Sequence, residues 1–335
     1  MKSLFLPASI DGCGFWRMFL PHLRIPQSRF VFALDGSYPV DIIAEADICI
    51  VQRLGNPNNI EAVKRIKASG KKLVYDLDDN IWNIPPHNRA YKWFKASKGM
   101  FTTCMQAADA ITVSTQPLQA QVRANIKLKC PVYVIENGVD FNMFYPLPKK
   151  ERKEVVIGWA GSATHAKDLV DVLEIIPKVL EKNPHVRFES VGASLPDNLK
   201  NHPQVRVRNT VPIAEYASRL ATWRWDLFLA PLEDTAFTRS KSSIKCLEAA
   251  ALQRPILVSP VGAYKDFCAL DPDLEYLMCK TRQQWIDKIN ELVNNEGARA
   301  FYGGRMYNVA REHCDVSKSA LKYVKLFAQL LGDRR

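Results

Sequence analysis

The sequence predicts an α/β protein with two open, parallel sheets. Two observations carry this prediction. Along all 335 residues, short apolar runs alternate with longer amphipathic stretches, a pattern typical of β-α-β units. The pattern occurs once in each half of the chain, and the halves are separated at 145–154 by two prolines and a dense run of charges, which is typical of a linker. The length also fits two domains of roughly 100–200 residues each.

Apolar runs at regular intervals are predicted to be strands. In the first half they lie at 3–7, 29–34, 47–52, 72–76, 110–114 and 132–135, and in the second half at 154–159, 186–191, 205–209, 227–230, 255–258 and 276–278. Helical patterns lie between them, notably at 58–68, 87–108, 167–182, 213–223, 241–252, 282–294 and 296–312. Because parallel strands need crossover connections, this order predicts two Rossmann-like sheets.

The last segment, 316–331, has the spacing of an amphipathic helix but no strand of its own. Such a helix must bury its apolar face on elements that have already formed. We therefore predict an N-terminal domain at 1–148, a C-terminal domain at 149–315, and a terminal helix at 316–335 that returns to the N-terminal domain. Two open α/β domains imply a cleft, with ligands at the carboxyl ends of the strands.

The charge and the cysteine content of the chain limit which partners and which kinds of site are expected. The chain has 46 Lys and Arg residues against 35 Asp and Glu residues, which favours polyanions such as nucleic acid, anionic lipid or phosphorylated substrates. The eight cysteines form no C-x-x-C pair, so we expect free thiols rather than a zinc site. The apolar stretch after Lys2 is too short for a signal peptide or a membrane span. We expect a cytoplasmic protein, and its basic charge is compatible with association with DNA or with the inner membrane face.

The segment 227–252 has the features of a phosphate site. A predicted strand ends at Pro231, a polar loop follows, and a helix opens near residue 240 with the sequence Ser-Lys-Ser-Ser. Free amides and the positive end of the helix dipole attract anions, and Lys241 and Lys245 add positive charge. Glu248 follows about two turns later, where its carboxylate would accept hydrogen bonds from a ribose diol. The alternative is a surface helix whose charges are only solvated.

Residues 226–259 resemble the donor-site block of GT-B glycosyltransferases, and most closely the retaining branch that includes glycogen synthase-like and bacterial group 1 enzymes. That branch often has a Glu-x7-Glu pair, of which the second glutamate binds the donor ribose. Glu248, followed by three alanines, matches the second, while Ser240 stands where the first would be. The resemblance implies sugar transfer from a nucleoside-diphosphate sugar, with retention and without a cofactor or metal. The implied donor contacts here are Lys241, Ser242, Ser243, Lys245 and Glu248.

Three further segments match this family. Residues 156–169 resemble its second phosphate-approaching loop, and the implied donor contacts are Gly161, Ser162, His165 and Lys167. Residues 10–21 carry Gly14 and Arg17 in a run that lines the donor phosphate and the acceptor in related enzymes. Residues 135–146 resemble the Asn-Gly-Val-Asp signature before the interdomain linker. From the residues alone, these glycines also fit plain turns, and His165 fits a capping or surface role.

Three carboxylates, Asp76, Asp78 and Asp79, lie at the end of the fourth predicted strand. Buried carboxylates are costly unless they are hydrogen-bonded, solvated or used. Their spacing is compatible with a metal site, with recognition of acceptor hydroxyls, or with a cap on the next helix. The expected acceptor contacts are Asp76, Trp82 and Trp93, and the expected catalytic residues are Lys241, Asp78 and Asp79, with no metal. The catalytic histidine of the family's more familiar branch has no counterpart here.

The acceptor is predicted from the basic surface. The run 89–98 combines one arginine and three lysines with three aromatic residues. This composition suits nucleic acid, by phosphate contact and stacking, or an anionic membrane, by interfacial insertion; an ordinary amphipathic helix is the simpler interpretation. The leading expectation is sugar transfer to hydroxymethylated bases of DNA, as in some phage enzymes. The alternatives are transfer to a lipid-linked or cell-surface saccharide, and a non-catalytic protein that binds nucleic acid.

Overall fold

The computed structural model describes residues 1–33, 38, 40–53, 55–148, 152–161, 167–192 and 195–332. These residues form two compact units. The first unit contains the described parts of Met1–Asp140, Arg239–Ser242 and Cys314–Arg335, and the second those of Phe141–Thr238 and Ser243–His313. The segment Arg239–Ser242 thus belongs to the first unit, although the chain on both sides of it belongs to the second.

The first unit is built on a six-stranded parallel sheet. Its strands are β1 (Ser3–Leu6), β2 (Ser28–Phe30), β3 (Ile48–Gln52), β4 (Lys72–Leu77), β5 (Ala110–Val113) and β6 (Val132–Val134). They are ordered β2-β1-β3-β4-β5-β6, and every neighbouring pair is parallel. The interior strands β3 and β5 are buried along their whole length, which explains why their sequences are mainly apolar.

Helices surround this sheet. They are α1 (Gly12–Gly14) and α2 (Leu20–His22), joined by a π-helical turn at Phe15–Phe19, then α3 (Val40–Ala44), α4 (Pro57–Ala68), α5 (Tyr91–Ala107) and α6 (Gln116–Asn125). Capping side chains fix three of these helix starts: Asp11 accepts from the amide of Cys13 at the start of α1, Asn56 from that of Asn59 at the start of α4, and Thr115 from that of Leu118 at the start of α6. Such caps satisfy amides that have no partner inside the helix.

The second unit is built on a five-stranded parallel sheet. Its strands are β7 (Val155–Ala160), β8 (Val186–Val191), β9 (Val205–Arg208), β10 (Leu227–Ala230) and β11 (Ile256–Val258), in the order β11-β10-β7-β8-β9. Its helices are α7 (Val170–Lys182), α8 (Asp197–Lys200), α9 (Ile213–Trp223), α10 (Ile244–Ala251), α11 (Gly262–Cys268), α12 (Arg282–Asn294) and α13 (Glu296–His313). The predicted α/β fold with two parallel sheets is therefore confirmed.

The last helix, α14 (Val316–Leu331), packs on the sheet of the first unit. Its apolar face contributes Tyr323 and Phe327, both fully buried, whose rings lie 5.7 and 6.3 Å from the ring of Phe5 on β1. Gly138 permits a close approach at the start of this helix, because a Cβ there would lie 2.5 Å from the Cα of Val316. The core of the first unit therefore depends on both ends of the sequence.

Two sequence predictions differ from the structure. Residues 276–278 do not form a strand: Pro272–Leu277 is a 3₁₀ helix, and Met278 makes only an isolated bridge to Val258. The helix predicted at 241–252 begins only at Ile244, after a 3₁₀ turn at Thr238–Ser240. All eight cysteines are free thiols. Within the described part of the chain, no helix combines the length and the apolar character needed to cross a membrane.

Candidate functional site

A cluster of charges lies at the carboxyl ends of β3 and β4 in the first unit. The Nη1 atom of Arg53 lies 3.6 Å from Asp78 Oδ1 and 3.8 Å from Asp79 Oδ2. The ammonium group of Lys241 lies 3.3 Å from Asp79 Oδ1, although the two residues are 162 positions apart in the sequence. The structure thus brings together the three residues predicted to be catalytic: Lys241, Asp78 and Asp79. Arg53 was not predicted from the sequence, although its position directly after a buried strand was an available signal.

Protonation in this cluster follows from burial. Desolvation raises the pKa of Asp78, and the charge of Arg53 opposes this increase. Burial and the charge of Asp78 raise the pKa of the Cys13 thiol well above its usual value, so Cys13 is a neutral thiol. Asp78 Oδ1 is out of contact with solvent and accepts no hydrogen bond from the described residues. The Arg53 charge at 3.6 Å is therefore the main compensation for that oxygen.

The same cluster contains the atoms that could hold a metal. Ligand atoms of Cys13, Asp78 and Asp79 lie within 4.8 Å of one another, and no other group of this kind occurs in the described ranges. However, Arg53 and Lys241 already supply two positive charges to the two carboxylates. A divalent cation would meet their repulsion at short range. Metal independence stays a prediction, and this donor set favours it.

Three side chains of the first unit hold the segment Arg239–Ser242. Asn80 Nδ2 donates to Ser240 Oγ at 3.2 Å, and Thr115 Oγ1 donates to the carbonyl oxygen of Ser240 at 2.8 Å. Asn137 Nδ2 donates to Ser242 Oγ at 2.9 Å. These bonds fix the backbone on both sides of Lys241 and account for the late start of α10. Asn80 and Thr115 were not predicted from the sequence, where they are recognisable only as polar residues just beyond strand ends.

Arg17 and Asp76 form a buried ion pair, with side chains 2% and 0% exposed. Arg17 donates from Nε and Nη2 to the two carboxylate oxygens at 3.1 and 2.6 Å, and Thr112 and Tyr323 also donate to Asp76. Burial lowers the pKa of Arg17, but the charge of Asp76 outweighs this and the net pKa lies above its usual range. The Arg17 guanidinium is therefore permanently charged. Upstream, Gly14 lies in a tight turn where a Cβ would be 1.8 Å from the carbonyl oxygen of Ser9.

The two predicted acceptor tryptophans have different surroundings. The indole N–H of Trp82 is buried and has no hydrogen-bond partner among the described residues. Trp93 on α5 is 46% exposed, and its ring meets Phe94 and Phe101 edge to face, at 4.7 and 5.5 Å. The guanidinium of Arg53 lies 5.7 Å above the ring of Phe94. Helix α5 therefore packs directly beside the charge cluster.

In the second unit, Glu248 lies on α10 and is only 6% exposed. Burial raises its pKa to about 7, although the charge of Lys245 and a hydrogen bond from Tyr216 both oppose the increase. The Tyr216 hydroxyl donates to Glu248 Oε2 at 3.2 Å. A carboxylate with one fixed donor keeps further acceptor capacity. Tyr216, on the neighbouring helix α9, was not predicted from the sequence.

The end of β7 lies beside α10. Lys245 donates to the carbonyl oxygen of Ala160, and its ammonium lies 4.7 Å from the centre of the Trp159 ring. Gly161 follows, where a Cβ would lie 2.6 Å from the Trp159 ring and 3.0 Å from Lys245 Nζ. Glycine is therefore required for this close approach.

The remaining predicted donor contacts are placed as follows. Ser243 is the cap residue before α10, and its side chain makes no capping bond. Lys167 is exposed. Ser162 and His165 lie outside the described residues. The ligand roles of all these residues stay predictions.

Comparison with known proteins gives a family model that matches part of the chain and solved structures that share its fold. Residues 154–295 match the family model described as glycosyl transferases group 1. Among solved structures, HepE of Anabaena in complex with UDP-glucose is similar over 98% of this chain and 100% of its own, with 14% identity and a TM-score of 0.71. Sucrose-phosphate synthase of Thermosynechococcus elongatus is similar over 99% and 100%, with 11% identity and a TM-score of 0.68.

Another similar structure belongs to a longer protein. TarM matches over 84% of this chain, with 16% identity and a TM-score of 0.60, and the match spans 54% of TarM itself. Among curated proteins, no sequence relative matches this chain. The two parallel sheets are thus those of the GT-B fold, and the family match covers most of the second unit.

Proposed function

We propose that this chain transfers a sugar from a nucleoside-diphosphate sugar to an acceptor hydroxyl. The premise is that it is a GT-B glycosyltransferase with a group 1 domain at residues 154–295. The observation that carries this proposal is the arrangement around Glu248. Its carboxyl group is nearly buried, is held by Tyr216, and lies on the same helix as Lys245. We propose that the ionised form accepts hydrogen bonds from the donor ribose.

The donor diphosphate needs positive charge and free N–H groups. We assign these to Lys241 and Lys245 and to the amides of Ser242 and Ser243, which precede or open α10. Gly161 allows the diphosphate to approach the end of β7, for the same reason that it allows Lys245 to approach. HepE, a similar protein, has been solved with UDP and with UDP-glucose. Uridine donors are therefore the first to test.

The reaction requires charge stabilisation more than a base. A bond forms between the acceptor oxygen and the anomeric carbon, and the bond from that carbon to the β-phosphate oxygen breaks. The acceptor proton passes to the departing phosphate on the same face of the sugar, so the configuration is retained. Lys241 stabilises the negative charge of the leaving diphosphate. Electrostatic stabilisation of this kind makes the largest single contribution to the rate enhancement. Asp79 orients Lys241 at 3.3 Å, and Asp78 accepts a hydrogen bond from the acceptor.

The proposed acceptor is a polyanion, with DNA that carries hydroxymethylated bases as the leading candidate. Helix α5 supports this choice. Between Asp79 and Asp109 the chain has no acidic residue, and it has four cations in this interval, all of them exposed: Arg89, Lys92, Lys95 and Lys98. The exposed ring of Trp93 lies on the same helix and contacts Phe94 and Phe101 edge to face. Cations with an exposed aromatic ring suit contact with phosphates and stacking on bases.

The test is mass spectrometry of acceptors after incubation with a panel of nucleoside-diphosphate sugars. Duplex DNA with hydroxymethylated cytosine is one arm, and vesicles that contain a lipid-linked saccharide are the other. We expect the DNA arm to gain the mass of one sugar per modified base, with retained anomeric configuration by NMR. A gain only in the vesicle arm would replace the DNA acceptor with a lipid-linked one. No transfer and no donor hydrolysis in either arm would contradict the proposed function.

A further inference from the structure

A chain of hydrogen bonds in the first unit connects Asp76 to Ser242. Asp76 binds Arg17 through both carboxylate oxygens. Arg17 Nη1 donates to Asn137 Oδ1 at 3.0 Å and to the carbonyl oxygen of Ile135 at 2.5 Å. Asn137 Nδ2 then donates to Ser242 Oγ at 2.9 Å. The participants come from four separate parts of the sequence, and the first three side chains are almost completely buried.

The direction of these bonds is fixed by chemistry. A guanidinium can only donate, so the atom of Asn137 that faces Arg17 must be the amide oxygen. The amide NH₂ must therefore face Ser242. Because the NH₂ group also donates, Ser242 Oγ is the acceptor in the last bond. The hydroxyl proton of Ser242 is then directed away from Asn137.

We infer that Arg17 is a positioning residue that acts through Asn137 to present the Ser242 hydroxyl as a hydrogen-bond donor to an anionic ligand. The inference rests on the proposed function, because it identifies that ligand with the diphosphate of the donor. Arg17 itself does not reach the diphosphate in this arrangement: its Nε, Nη1 and Nη2 atoms all donate within the protein. Its charge is neutralised by Asp76 in the interior.

The structure also explains why arginine is needed at this position. Four bonds leave the Arg17 guanidinium toward three different residues, Asp76, Ile135 and Asn137. The planar fork of arginine can make these bonds at once, whereas lysine offers one nitrogen. Thr112 and Tyr323 hold Asp76 in turn. The orientation of Asn137 therefore depends on Arg17, Asp76 and the partners of Asp76, which lie up to several hydrogen bonds away from Ser242.

The test is a double-mutant cycle with Asn137→Asp and Ser242→Ala. The new carboxylate still accepts from Arg17 but cannot donate, so Ser242 must turn its proton toward it and away from the ligand. We expect each single variant to weaken binding of uridine diphosphate about tenfold, the size expected for loss of one hydrogen bond to a charged group. The double variant should bind no more weakly than Asn137→Asp alone, because the two changes remove the same bond.

Two further variants distinguish a positioning role of these residues from a purely structural role and from an effect of charge. Ser242→Thr keeps the hydroxyl and should keep the affinity. Tyr323→Phe removes a hydrogen bond to Asp76 at the other end of the chain of bonds, and should lower the thermal midpoint while leaving affinity within about twofold. Calorimetric binding and thermal unfolding are measured on each full-length protein.

Three results would overturn the inference. Additive losses in the double variant would mean that the new negative charge, and not the hydroxyl, weakens binding. Unchanged binding by Asn137→Asp would leave the proposed function in place and remove the role of Arg17 and Asn137. A wild-type protein that binds none of a panel of nucleoside diphosphates would remove the inference together with the proposed donor site.

Discussion

Glu248 combines a buried carboxyl group with a proposed role, binding of the donor ribose, that requires the ionised form. Burial raises its pKa from the ordinary 4.5 to about 7, so near neutral pH a substantial fraction is protonated. A protonated carboxyl group accepts hydrogen bonds from a diol less well than a carboxylate. Donor binding should therefore depend on pH in the neutral range.

We predict that donor affinity rises as the pH increases through about 7, and that Glu248→Gln binds more weakly with little pH dependence. Stability should change in the opposite direction. Because the folded state binds this proton more tightly than the unfolded state, the stabilisation is complete below pH 4.5 and is lost as the pH rises through about 7, up to about 3 kcal/mol. Urea unfolding at several pH values measures this. Parallel stability curves for wild type and Glu248→Gln would contradict it.

Single residues were predictable where their chemistry is visible in a local pattern. Lys241, Lys245 and Glu248 stand in one short segment, and in the structure they contact Asp79, the carbonyl oxygen of Ala160 and Tyr216, respectively. Their ligand roles stay predictions. Asn137 was not predictable in this way, because its partners Arg17 and Ser242 are 120 and 105 positions away. Local sequence indicates a turn at Asn-Gly, whereas the tertiary contacts decide which atoms the amide meets.

The strands and helices also depend partly on local sequence and partly on long-range contacts. Eleven strands appear where the sequence predicts them. Most are buried parallel strands with mainly apolar sequences, whereas β2 and β9 are only partly buried. The run at 276–278 is equally apolar but follows a proline, and Pro272–Leu277 forms a 3₁₀ helix instead. Helix α10 begins at Ile244 and not at residue 241, because side chains of the first unit hold the preceding residues by hydrogen bonds.

Helix α5 is the element that tests the polyanionic acceptor. We predict that replacing Lys92, Lys95 and Lys98 together by glutamine weakens binding to duplex DNA. The negative slope of log affinity against log salt concentration should become shallower by about 3. All three side chains are exposed, so folding should be unaffected. Fluorescence anisotropy across a salt series provides the measurement.

The matched control replaces three exposed lysines of the second unit, Lys178, Lys182 and Lys200, and removes the same charge from the formal total of +11. We expect DNA binding by this control to keep most of its salt slope. Equal losses in both variants would show that net charge, and not the α5 face, attracts DNA. Wild-type binding to anionic vesicles without binding to DNA would identify α5 as a membrane-facing helix.

For the whole molecule, the sequence predicts the fold more completely than it predicts the acceptor substrate. Two repeats of strand and helix are sufficient for two parallel sheets, and the structures with 11–16% identity show the same fold. One fold supports many substrates, because specificity is set by a few side chains on its loops and faces. In this chain Arg53, Asn80 and Tyr216 are polar side chains that meet their partners only after folding.

The most direct test of the central claim is release of nucleoside diphosphate from a nucleoside-diphosphate sugar, measured with and without acceptor. The wild-type protein should release it from at least one sugar nucleotide. Lys241→Ala should retain the wild-type circular dichroism and thermal midpoint but lose at least about 100-fold in rate, as expected when charge stabilisation at a leaving group is removed. Lys178→Ala, at an exposed lysine of the second unit, should behave as wild type. Equal rates for wild type and Lys241→Ala would contradict the assigned site, and no release from any donor would contradict the activity itself.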